Sequence, residues 1–211
     1  MSLKIYGIAA SRAARPLWVA HELGLAYEHI PTHYAEGATR TPEFLRINPN
    51  GHIPVVDDNG VIVWESMACA LYLAQRFTAS DGSSLAGQTA AEQAEVLRWT
   101  FWAVTECEKD ALAVLMHTIA MPADRRKPEL AQEAASRLQA PLKVLEQHLS
   151  ARGPYLAGAR FTVADICVAS VLGWAQPMPE LFQDKPNAAQ WLKACLSRPA
   201  QQAVRALARK G

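Results

Sequence analysis

Residues 48–56 read Asn-Pro-Asn-Gly-His-Ile-Pro-Val-Val, and Trp64-Glu65-Ser66-Met67-Ala68 follows eight residues later. No other stretch restricts the fold as tightly. Asn50-Gly51 signals a turn, and Val55-Val56 opens a short strand. Pro54 has no ladder donor, so it belongs at the first strand position or in a tight turn where an X-Pro bond is cis. Such a bond after Ile53 leaves the Ile53 backbone groups facing outward instead of paired in the sheet. Asp58-Asn59-Gly60 turns the chain, Val61–Trp64 returns as a second strand, and Glu65-Ser66 stands where a helix begins. A carboxylate beside a hydroxyl and unbonded helix amides can hold both charges of an amino acid. Glu65 takes the ammonium; Ser66 and the amides take the carboxylate. The same residues also read as a plain β-hairpin followed by a serine-capped helix.

The pattern around this segment is legible. A strand is expected at 3–8, a helix at about 15–23 stopped by Gly24, and a second strand at 27–31. Pro42 can start a short helix through Arg46. The hairpin and a helix at 66–77 complete a βαβ-α-ββα unit. Residues 78–88 are small and polar, a linker. Beyond them the periodicity is helical. Thr89 with Glu92 fits a capping box and opens a long helix over 89–118. A charged break at 122–128 precedes a second long helix at about 129–150, which Pro141 is expected to kink or interrupt. Thr162 with Asp165 is another cap signature, and shorter helices follow near 187–196 and 199–209. The fold class is therefore α/β plus all-α, divided as 1–77, a linker at 78–88, and an all-helical 89–211.

Charge and composition exclude several partners. The 211 residues carry 21 basic and 20 acidic side chains, a net charge of +1, with no long basic run. That argues against nucleic acid. No run approaches the roughly 18 apolar residues of a membrane span, and the N-terminus shows no signal-peptide pattern. Cys69, Cys107, Cys167 and Cys195 lie far apart, without metal-ligand spacing. They read as small core residues of a reduced, cytoplasmic protein without structural metal.

The chain opens Leu3-Lys4-Ile5-Tyr6-Gly7 and continues Ser11-Arg12-Ala13-Ala14-Arg15-Pro16-Leu17-Trp18. Asn-Pro-Asn-Gly-x-Ile-Pro-Val and Glu-Ser-x-Ala follow. In the second half Tyr155-Leu156-Ala157-Gly158 precedes Phe161-Thr162-Val163-Ala164-Asp165-Ile166. In this order the motifs resemble the cytosolic glutathione transferase family over essentially the whole chain. The resemblance implies a thioredoxin-like N-terminal domain followed by a C-terminal helical bundle. It also implies glutathione as co-substrate, no metal, a hydrophobic electrophile and a homodimer.

Carried over position by position, the resemblance puts Ser11 at the glutathione sulfur as a hydrogen-bond donor, not a nucleophile. Tyr6, inside the strand, is the alternative contact. Pro16 fits the first helical turn, so the helix should start after Ser11 and leave the amides of Arg12 and Ala13 unbonded, able to share the sulfur. Ile53, before Pro54, should exchange backbone bonds with the cysteinyl residue, and Glu65 and Ser66 should hold the γ-glutamyl end. His52 and Arg40 are candidates for the glycyl end. Trp102, Thr105, Glu106 and Trp174 are candidates for the electrophile pocket, with Glu106 alternatively reaching a neighbouring subunit. Glutathione-dependent isomerase, dehalogenase or peroxidase chemistry, or a non-catalytic glutathione-binding role, stays open at this level, because fold does not fix substrate.

Overall fold

The computed structural model describes residues 3–209. Burial alternates along β1, Leu3–Tyr6, as a strand with one covered face requires. The chain then forms α1 (Ala14–Glu22), β2 (Glu28–Ile30), α2 (Pro42–Ile47), β3 (Val55–Asp58), β4 (Val61–Trp64) and α3 (Ser66–Arg76). The sheet order is β2-β1-β3-β4, with β1 parallel to β2 and antiparallel to β3, and β3 antiparallel to β4. This is the thioredoxin-like arrangement that the resemblance implied. The register pairs Tyr6 with both Ile30 and Val55. Gly7 and Pro54 therefore leave the sheet side by side. The Ile53-Pro54 peptide is cis, and Ile53 lies just outside the ladder that begins at Val55.

A second compact unit spans Gly87–Ser197. Its α4, Ala90–Trp102, starts at Thr89, whose hydroxyl accepts the Glu92 amide at 3.1 Å. The helical path runs on to Ala120, but not as the one regular helix the periodicity predicts. Ala103–Glu108 and Met116–Ala120 are π-helical, with α5 (Lys109–Leu115) between them. Thr100, Thr105 and Thr118 each donate their hydroxyl to the carbonyl four residues back, at 2.7, 3.2 and 2.6 Å. These bonds compete for the carbonyls that hold a regular turn. After a break, α6 runs unbroken from Pro128 to Arg152. The interruption expected at Pro141 is absent. An interior proline costs roughly 3 kcal/mol, whereas Leu138, Leu142 and Leu145, all fully buried around it, contribute about 1.5–3 kcal/mol each. The nearly all-buried α7 (Val163–Leu172) and then α8 (Pro186–Leu196) complete this unit.

The last helix, α9 (Pro199–Ala208), groups with the first unit, whereas the division read from the sequence put it with the helical domain. Arg198 explains the grouping: its Nε and Nη2 donate to the two carboxylate oxygens of Glu22 at 2.6 and 2.8 Å, and Trp18 Nε1 donates to the same carboxylate at 2.9 Å. Residues 1–2 and 210–211 of the predicted division lie outside the described residues. All four cysteines are buried, and burial pushes the Cys69 thiol up to about 12 and raises that of Cys107 as well. Among the described residues no helix is long and apolar enough to cross a membrane.

Candidate functional site

The site begins where β1 ends. Gly7 has φ +127°, and a Cβ placed there would stand 2.8 Å from the Ala13 Cβ and 3.1 Å from the Ile53 Cβ. Only glycine allows this approach, which brings the turn before α1 against the loop before β3. Within that turn Ser11 Oγ donates to the Ile8 carbonyl at 2.7 Å and accepts the Ala13 amide at 3.1 Å. The Ala14 amide bonds the Ser11 carbonyl, and the regular helix starts at Ala14, with Pro16 in its first turn. The late helix start agrees with the expectation. The Ala13 amide does not: it is spent on Ser11 and so is not an open donor.

The loop before β3 is fixed from within. Asn48 is buried; its side-chain Nδ2 donates to the His52 carbonyl at 2.7 Å, and its Oδ1 accepts the Asn50 backbone amide at 3.1 Å. Arg40 Nη1 donates to the Asn50 carbonyl at 3.1 Å. Gly51 is at φ +61°, and a Cβ there would stand 2.8 Å from the Thr39 backbone carbonyl oxygen, so the position favours glycine. His52 itself is exposed and Ile53 half-exposed.

Across from these loops α3 starts in an unusual way. Glu65 has φ +69° and ψ 120°, and among the described residues no side chain caps the helix. A non-glycine residue held in such a conformation costs about 1–3 kcal/mol and collects at functional positions. The first backbone bond of α3 runs from the Cys69 amide to the Glu65 carbonyl at 2.8 Å, so the amides of Ser66, Met67 and Ala68 open outward from the turn. Ser66 is buried, and its hydroxyl accepts from Arg15 Nη1 at 2.7 Å. Arg15 is 1% exposed. A guanidinium that deep adds positive charge behind an already positive helix terminus. The whole arrangement suits a ligand with an anionic group at α3 and a cationic group at the exposed Glu65.

Comparisons with known proteins agree with this geometry. Residues 1–75 match the family model described as glutathione S-transferase, N-terminal domain, and residues 109–199 the one described as glutathione S-transferase, C-terminal domain. Glutathione S-transferase 3 of Zea mays is 32% identical over 206 residues, which are 95% of this chain and 91% of that protein. The chain belongs to the glutathione S-transferase family. Human elongation factor 1-gamma is 33% identical over 180 residues, 82% of this chain but 39% of that longer protein. A solved structure of the theta class transferase from Xanthomonas axonopodis pv. citri, with glutathione bound, superposes with a TM-score of 0.84 at 29% identity, covering 95% of each chain.

In this transferase Ser11, Ile53, Pro54, Glu65 and Ser66 all lie in the first unit, with His52 on the loop before β3 and Arg40 at the end of the 3-10 turn before α2. Arg12 is exposed in the same turn as Ser11. Tyr6 packs edge-on against Phe44, with ring centroids 6.4 Å apart. The other candidates lie in the second unit. Trp102 is half-buried with its ring edge-on to Trp99, Thr105 and Glu106 are exposed in the first π-helical stretch, and Trp174 is half-buried in a 3-10 turn after α7. The π turn shifts Thr105 and Glu106 off the face that regular spacing predicts. Sequence reasoning assigned no role to Gly7, Asn48 or Arg15. Arg15 carried a usable signal: it is the one cation in the apolar run of residues 13–20.

Proposed function

We propose that the transferase conjugates the glutathione thiolate to hydrophobic electrophiles, with Ser11 donating a hydrogen bond to the sulfur. Glu65 and Ser66 hold the γ-glutamyl end, the Ile53 backbone pairs with the cysteinyl residue, and His52 and Arg40 serve the glycyl end. Trp102, Thr105, Glu106 and Trp174 serve the electrophile. The observation that carries this reading is the uncapped start of α3, where strained Glu65 and Arg15-held Ser66 flank outward amides. The glutathione in the Xanthomonas relative supports it. Leu97, Phe101 and Val104, 36%, 62% and 43% exposed along one stripe of α4 and the π turn, support a homodimer. Four buried cysteines, none of them in a disulfide, support a cytoplasmic setting.

Magnitudes bound the mechanism. A thiol near ~8.5 needs about 2.7 kcal/mol to reach ~6.5. A hydrogen bond to the anion contributes about 1.5–3 kcal/mol, but the Ser11 hydroxyl must leave the Ile8 carbonyl, which offsets about 0.5–1.5. The helix terminus adds roughly 0.3–1 kcal/mol. The balance corresponds to a shift of about one to two pKa units.

The test is the ultraviolet thiolate absorbance of bound glutathione against pH, in wild type and in Ser11→Ala. A bound pKa of about 7 that rises by about one unit in the variant is expected. Binding with an unshifted pKa would move the sulfur contact away from the Ser11 hydroxyl. The similarity to elongation factor 1-gamma favours a second reading, a non-catalytic interaction role, and absent glutathione binding would select it.

A further inference from the structure

Gly7 is tied to β2 twice. Its amide donates to the Ile30 carbonyl at 2.9 Å, extending the β1–β2 ladder by one rung. Its carbonyl is taken by a side chain: His29 Nε2 stands 2.8 Å from the Gly7 oxygen. A carbonyl can only accept, so Nε2 carries the hydrogen. His29 pairs in register with Ile5, and its half-buried ring reaches two residues further along the neighbouring strand to make this contact. The other imidazole nearby is held elsewhere, His21 Nε2 lying 3.0 Å from the Tyr27 hydroxyl.

The bond matters because of what Gly7 touches. The Gly7–Ile8 peptide plane carries the Gly7 carbonyl at one end and leads at the other into Ile8, whose own carbonyl accepts the Ser11 hydroxyl. Gly7 also leaves no room for a side chain, since a Cβ there would stand 2.8 Å from the Ala13 Cβ and 3.1 Å from the Ile53 Cβ. Close-packed contacts of this kind transmit displacement instead of absorbing it. Rotating the peptide would move the Ser11 turn and its spacing from Ile53 together. Gly7 is buried, so its carbonyl needs a partner, and the His29 imidazole from the neighbouring strand supplies it.

We infer that His29 is a positioning residue of the thiol site, its Nε2–H holding the Gly7 carbonyl and thereby fixing the turn that presents Ser11 beside Ile53. The inference rests on the thiol site proposed above. It differs from that reading in placing part of the control on β2, in a side chain that touches neither thiol nor electrophile.

Three variants test it: His29→Phe keeps a ring and loses the donor, His29→Gln keeps a long N–H donor, and Ser11→Ala is the reference. The readouts are the pKa of bound glutathione, and kcat and KM measured separately. For His29→Phe a rise in bound pKa of about half to one unit is expected, with kcat/KM at pH 6.5 falling by about three- to eightfold. His29→Gln should restore at least half of both effects, which a loss of packing alone would not permit. If the phenylalanine variant fails to fold, His29→Asn, whose amide is too short to reach Gly7, takes its place. A bound pKa unchanged in the donorless variant while Ser11→Ala raises it would overturn the role of His29 and leave the serine reading intact. The reverse, an indifferent Ser11→Ala with a raised pKa on losing the His29 donor, would sink the serine reading and keep His29 as the anchor of a turn acting through its backbone. Equal damage from Gln and Phe would reduce His29 to packing.

Discussion

At the start of α7 and at the start of α3 the chain places a hydroxyl and a carboxylate within a few residues of each other, and it turns them in opposite directions. At α7 both face inward. Asp165, fully buried, accepts the amides of Leu156 and Thr162 at 3.1 and 2.9 Å, the Thr162 hydroxyl at 3.2 Å and Trp191 Nε1 at 2.9 Å. Burial pushes its carboxyl up, and those four donors pull against it. At α3 the carboxylate of Glu65 is exposed, its backbone is strained, and the hydroxyl of Ser66 takes its bond from Arg15 and leaves the helix amides uncapped. One terminus is saturated and holds a domain together. The other is left unsaturated, at a cost in stability that a ligand can recover.

Breaking the saturated terminus should have the largest effect. Asp165→Ala strands buried donors at about 1–3 kcal/mol each, so a loss of 3 kcal/mol or more is expected in urea unfolding followed by circular dichroism. A loss below about 1 kcal/mol would mean water replaces the carboxylate and the contrast is overstated. At the other terminus the prediction splits. Glu65→Gly relieves the positive φ and should leave stability unchanged or raise it by up to about 1 kcal/mol. Its glutathione affinity, measured by calorimetry, should still fall by about tenfold or more as a charged hydrogen bond disappears. A parallel fall in stability and affinity would make Glu65 another structural cap. Thr162→Ala is the mildest, about 1 kcal/mol of stability with no change in glutathione affinity.

Much of this contrast is legible in the order of the residues. Thr162 and Asp165 stand at capping-box spacing, and Glu65-Ser66 follows a turn-proline-strand-turn-strand pattern that leaves few alternatives. The cis proline and the start of α1 near Pro16 follow from the same local chemistry, whereas the thioredoxin-like sheet came from the family resemblance. The departures from expectation have two causes. Local propensity argues for a kink or interruption at Pro141 and for one regular helix over 89–118. Burial of three leucines keeps the helix uninterrupted at the first, and threonine side chains bonding back to carbonyls alter the second. The partner of Arg15 is not legible in this way because it lies 51 residues away, and the role of Gly7 is not because it depends on how close Ala13 and Ile53 pack, whereas the Asn48 bonds span only two and four residues.

By itself the sequence determined the element order, the turn types and the residue kinds offered at each loop, since these depend on neighbours a few positions apart. Tertiary structure decided which of those groups remained available. Ser66 is held by a buried arginine 51 residues away, the Ala13 amide is consumed by Ser11, and the Gly7 carbonyl, one residue before the carbonyl that takes the Ser11 hydroxyl, is bonded by His29 from the neighbouring strand. Hydrogen-bond capacity is read residue by residue, but whether a donor is spent or open depends on what packing brings within about 3 Å of it.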